Sequence, residues 1–138
     1  MNKASKIVIV NSRKEFLLQL RDEREDIASP GYWSFFGGGV ENGESYLRAM
    51  KREILEEIGI EPLNMRKIKT IYIPKHYQNP SACRIAVFRA DLDTSVEDIN
   101  LTEGKDVRYF PLEELQEIKF PYVWLDFILK NKDRIFRS

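Results

Sequence analysis

Three glutamates, Glu53, Glu56 and Glu57, stand at i, i+3 and i+4 in a chain of 138 residues. On a helix, at ~100° per residue, they span an arc of about 100° and share one face. Glutamate is a good helix former, and exposed faces often carry several, so the cluster alone says little. Glu53 and Glu57, however, place like charges one turn apart, a repulsion of roughly 0.2–0.5 kcal/mol that a divalent cation removes. A hard ion such as Mg²⁺ is held by a few carboxylates, waters and phosphate oxygens. Gly37, Gly38 and Gly39 lie just ahead in the sequence, where bare backbone can turn sharply or approach a ligand closely. Together these residues point to metal-assisted chemistry on an anionic substrate.

The glutamates need a helix to align them. Ser45 is a plausible N-cap, Leu47, Met50, Ile54 and Ile58 recur every three or four residues, and Gly59 with Pro62 supplies the stop. The expected helix packs those four apolar residues on the core and turns its carboxylates outward. Upstream, 6–10 and 15–21 read as two strands in a hairpin around Asn11 to Lys14, the second strand central and buried. Trp33 to Phe36 forms a short aromatic strand running into the glycines. Asp22 to Asp26 and Ser29-Pro30-Gly31 read as a solvated loop. Downstream, 66–77 and 82–92 read as an antiparallel pair, 94–104 as a polar connection and 107–110 as a short strand. A brief helix is expected to open on Pro111, and a last one to run from Tyr122 to Phe136. No repeat or linker interrupts 1–138, which reads as one domain.

Gly38, Glu44, Arg52, Glu53, Ile54, Glu56, Glu57, Gly59 and Ile60 fill the pattern G-x5-E-x7-R-E-U-x-E-E-x-G-U, with U apolar. This segment resembles the Nudix box at all nine fixed positions, and the chain is similar to small MutT-like Nudix hydrolases. The resemblance implies an α+β fold, an α/β/α sandwich with a mixed central sheet between helices. It also implies hydrolysis of a phosphoanhydride bond with Mg²⁺ or Mn²⁺. Glu56 and Glu57 become the principal metal ligands, Glu53 a further ligand or the residue that orients water, and the carbonyl of Gly37 or Gly38 completes the set. Arg52 holds the catalytic carboxylates in place, with Glu44 as the candidate partner. Outside the box, Glu103 matches an additional carboxylate found in many members. His76, the only histidine, is an alternative general base. Because a pyrophosphate is shielded by its own anionic oxygens, the metal must neutralise it while activating the water that attacks in line.

The substrate is less legible. Trp33, Phe35, Tyr72 and Tyr77 are aromatics able to stack on a base or to pack in the core. Pro74 and Tyr77 resemble markers of ADP-ribose and dinucleoside polyphosphate hydrolases respectively, and so conflict. A nucleoside triphosphate, oxidised forms included, ranks first, ahead of ADP-ribose, nucleotide sugars and dinucleoside polyphosphates. The small size, without the extra N-terminal domain or strand of larger nucleotide-sugar hydrolases, favours that ranking. A non-catalytic nucleotide sensor is the rival of another class, but such proteins usually lose box glutamates. An isoprenoid-diphosphate isomerase would need more histidine and cysteine than one of each. Lysine plus arginine equals aspartate plus glutamate at 22 each, so no global field draws the chain to nucleic acid or membrane. The expected partner is a small nucleotide, with no stable nucleic-acid complex, in a monomer or homodimer. The apolar run Ile7 to Val10 is too short for a signal or transmembrane segment, which gives a cytoplasmic expectation. Cys83, the only cysteine, is expected to serve packing.

Overall fold

The computed structural model describes residues 2–21, 31–75, 81–101 and 106–137. The long first strand, β1 (Asn2–Val10), organises the rest. One edge pairs in parallel with β6 (Cys83–Asp91), from Asn2↔Cys83 to Val10↔Asp91. The other edge is shared, because β4 (Phe36–Gly39) runs antiparallel along Ala4 to Ile7, while β2 (Phe16–Leu20) meets β1 only at Val10↔Phe16. The expected hairpin therefore exists only at its tip. The two strands then part, and β2 pairs with β7 (Asp106–Phe110) on one side and β3 (Trp33–Ser34) on the other. The aromatic segment is correspondingly two strands, broken at Phe35 so that Trp33 joins β2 and Phe36 joins β1. The strand β5 (Leu63–Ile73) closes the far edge, antiparallel to β6 as expected.

This seven-stranded mixed sheet is covered on both faces. Alternation along β1 sends Ile7 and Ile9 to one side, where they meet Met50, Ile54 and Ile58 of α1 (Tyr46–Ile58). Val8 and Val10 face the other side, with Phe35, Trp124, Phe127 and Ile128. That second face is covered by α2 (Tyr122–Lys130) and α3 (Lys132–Phe136), so the α/β/α expectation is met. The expected single C-terminal helix is broken at Asn131, which has φ −125° and ψ 21° and donates from Nδ2 to the Phe127 carbonyl at 2.8 Å. Buried Arg89 of β6 fixes α3 by donating to the Ile135 carbonyl at 2.9 Å while it pairs with Asp91 at 2.7 Å. Single 3₁₀ turns occupy Val96–Asp98, inside the polar connection, and Leu112–Glu114, with Pro111 one residue ahead of the latter turn. Among the described residues, no helix is long and apolar enough to cross a membrane.

Candidate active site

The helix α1 begins where Ser45 Oγ accepts from the Arg48 amide at 3.1 Å. It stops where Gly59, at φ 71°, donates its amide to the Leu55 carbonyl at 2.9 Å. Its first turn is tied to β1 by Ser5 Oγ, which donates to the Tyr46 carbonyl at 2.8 Å. Beside it runs β4, where Gly38 pairs with Ser5 and Gly37 with Lys6. A methyl group on Gly38 would sit 2.5 Å from the Glu53 carboxyl carbon, so only a bare backbone lets this strand abut that side chain. A methyl group on Gly37 would fall 2.2 Å from the Ser5 carbonyl oxygen.

Arg52 gathers the surrounding acids. Its Nε and one terminal nitrogen hold both oxygens of Glu44, at 2.7 and 2.9 Å, a bidentate pair. The other terminal nitrogen donates to Glu53 Oε1 at 2.9 Å and lies 3.5 Å from Glu56 and 3.8 Å from Glu41. A last bond reaches the Gly39 carbonyl at 3.2 Å, so the guanidinium spans the glycine strand and the helix. Glu44 also accepts from the Glu41 amide at 2.9 Å. The Arg52 hydrogen bonds, then that amide, hold the Glu44 carboxyl down at a pKa of about 2. The same carboxylates push the Arg52 pKa upward, with Glu44 contributing most.

The three glutamates of α1 differ in setting. Glu56 is exposed, Glu53 is largely covered, and Glu57 is buried at 6% exposure, which corrects the expectation of an outward Glu57. Glu57 follows Met50 by seven residues, two turns of helix, and shares its inward side. Leu47 is corrected in the other direction, being 39% exposed in the first turn, while Ala49 takes the core position. Among the described residues, no three His, Cys, Asp or Glu side chains stand together as a ready-made metal cage. The available donors are nonetheless hard oxygens throughout, three carboxylates and the carbonyls of the strand glycines, which is chemistry suited to Mg²⁺ or Mn²⁺.

Residues 2–126 match the family model of the NUDIX domain. The chain belongs to the NUDIX domain family. It is 37% identical over 71 residues to an RNA pyrophosphohydrolase of Pasteurella multocida, a stretch covering 51% of this chain and 31% of that protein. It is 42% identical over 52 residues to the nucleoside triphosphatase NudI of Escherichia coli, covering 38% and 36% respectively. The matched stretch thus spans about a third of the length of each curated relative. Among solved structures, the MutT protein of Methanosarcina mazei superposes with a TM-score of 0.80 at 24% identity, covering 99% of this chain and 96% of that one. That likeness establishes a shared fold.

Within this NUDIX domain, the structure brings Gly37, Gly38, Glu44, Arg52 and Glu53 together, with Glu56 at the edge of the Arg52 network. Phe35 is corrected from a possible substrate contact to a core residue, edge-on to Phe120 and Trp124 at 5.5 and 5.4 Å and 1% exposed. Trp33 is half-buried, edge-on to Phe110 at 4.7 Å with Arg108 5.7 Å from its ring centre. Glu103, His76 and Tyr77, the 22–26 loop and most of the 78–81 turn lie outside the described residues. Cys83 is half-buried, and burial pushes its thiol pKa up. Two features went unread in the sequence. One is a cavity of about 610 Å³ between the start of β1 and the turn from Gly39 to Glu44. The other is Lys6, a charged residue on a strand whose following four positions are all buried and apolar.

Proposed function

We propose that this domain hydrolyses a phosphoanhydride bond in a nucleoside diphosphate linked to a further group, with a nucleoside triphosphate, oxidised or not, as the first candidate. The observation that carries the reading is the Arg52 clamp, which fixes Glu53 against Gly38 and keeps Glu44 ionised. Glu53, Glu56 and Glu57, with the Gly37 or Gly38 carbonyl, would hold Mg²⁺ or Mn²⁺. When bound, the ion supplies charge neutralisation of the phosphates and acidification of water. Glu53, kept in one orientation by Arg52, receives the proton of the attacking water. That water approaches one phosphorus in line with the bond to the leaving phosphate. Arg52 acts by position, since two of its nitrogens are committed to Glu44. Glu103, which precedes β7 in the sequence, is the proposed additional carboxylate.

The names of the relatives support phosphoanhydride substrates and divide between nucleoside triphosphates and RNA. A product-resolved screen with Mg²⁺ or Mn²⁺ tests the reading, over nucleoside triphosphates, ADP-ribose, nucleotide sugars, dinucleoside polyphosphates and 5′-triphosphorylated RNA. Metal-dependent release of phosphate or pyrophosphate from a nucleoside triphosphate is the expected result. Tight nucleotide binding without turnover of any substrate would overturn it in favour of a nucleotide sensor.

A further inference from the structure

Lys6 stands at the centre of β1, between Gly37 of β4 and Val87 of β6, and its Cδ would lie 2.9 Å from a methyl group placed on Gly37. Lys6 is partly buried, and among the described residues its ammonium makes no hydrogen bond or ion pair. A poorly solvated cation is costly, and it becomes less so when an anion settles against it. Lys6 lies against the strand whose next residue, Gly38, abuts Glu53, so its charge borders the site and is open to an anionic ligand.

We propose that Lys6 is a substrate-binding residue, its ammonium contacting a phosphate oxygen of the substrate on the glycine-strand side of the site. The inference rests on the pyrophosphohydrolase reading above. Lysine suits the role as a compact point charge on a long stem. Its location distinguishes it from a metal ligand, since removing a positive charge near Glu53 and Glu57 strengthens their hold on a cation.

The test uses Lys6→Met, which keeps the aliphatic length, and Lys6→Arg, which keeps the charge. For whichever nucleotide the wild-type domain turns over, Lys6→Met should raise KM at least tenfold with a smaller change in kcat, and Lys6→Arg should stay within about threefold of wild-type KM. Mn²⁺ affinity without nucleotide, followed by electron paramagnetic resonance, should be unchanged or tighter in Lys6→Met. Lys6→Gln serves as the second neutral variant if the methionine does not fold. A wild-type KM in either folded neutral variant overturns the proposal, as does Mn²⁺ binding weakened in step with activity, which would make Lys6 a support for the carboxylates. A wild-type protein inactive on every nucleotide would instead overturn the pyrophosphohydrolase reading.

Discussion

Gly38→Ala tests how closely Glu53 must be placed. The new methyl would sit 2.5 Å from the Glu53 carboxyl carbon and 2.6 and 2.8 Å from its oxygens, whereas ordinary contact begins near 3.4 Å. The carboxylate, already engaged by Arg52 at 2.9 Å, must therefore retreat by about 0.9 Å from the new methyl. A misplacement of ~1 Å in a catalytic group lowers turnover by about 10²-fold, equivalent to ~2.7 kcal/mol of barrier. Folding should suffer far less, because the clash is with the movable end of a side chain. Overpacking at the low end of its range, about 1 kcal/mol, lowers Tm by roughly 3–5 °C in a chain of this size. Gly39→Ala is the matched control, since a methyl there meets nothing within 4 Å. Steady-state kinetics and thermal melting of the three proteins provide the comparison. A Gly38→Ala protein that melts a few degrees low yet keeps wild-type kcat would refute the claim that Glu53 works from this position.

Glu57→Gln should reduce kcat by at least 10²-fold and weaken Mn²⁺ binding. Unaltered metal affinity in calorimetry would remove Glu57 from the ligand set. Glu44 has its pKa lowered from 4.5 to about 2, so its contribution to stability is complete above pH 4.5 and is lost as pH falls through about 2. The Tm difference between wild type and Glu44→Gln should accordingly stay level from pH 5 to 8 and shrink below about 4.5, and a gap that widened on acidification would contradict the Arg52 pairing.

The helix α1 was legible in the sequence because cap, periodicity and stop agree at Ser45, Ile54 and Gly59. The Arg52–Glu44 pair was legible through the spacing of the box and appears in the structure as a bidentate clamp. What escaped was set by tertiary context. Glu57 looked outward only when grouped with its neighbours by charge; its seven-residue spacing from Met50 carried the signal of burial. The break at Asn131 has no proline or glycine to announce it, and the apolar period of Trp124, Phe127 and Ile128 continues through to Ile135. The parting of β1 from β2 was hidden too, because the turn at Asn11 to Lys14 is genuine and nothing local says how far a hairpin zips. The pairing of β1 with β6 lies about 80 residues away in sequence, beyond any local pattern.

That parallel pairing also bears on how the protein is born. At roughly 5–20 residues per second of synthesis, β1 leaves the ribosome many seconds before β6 exists to cover its edge. Until then β4, carrying the glycines, can hang only on an unfinished sheet. Gly38 thus gains its lasting alignment with Glu53 after residue 91 has emerged, and the chemistry carried by residues 37–57 waits on residues 83–91.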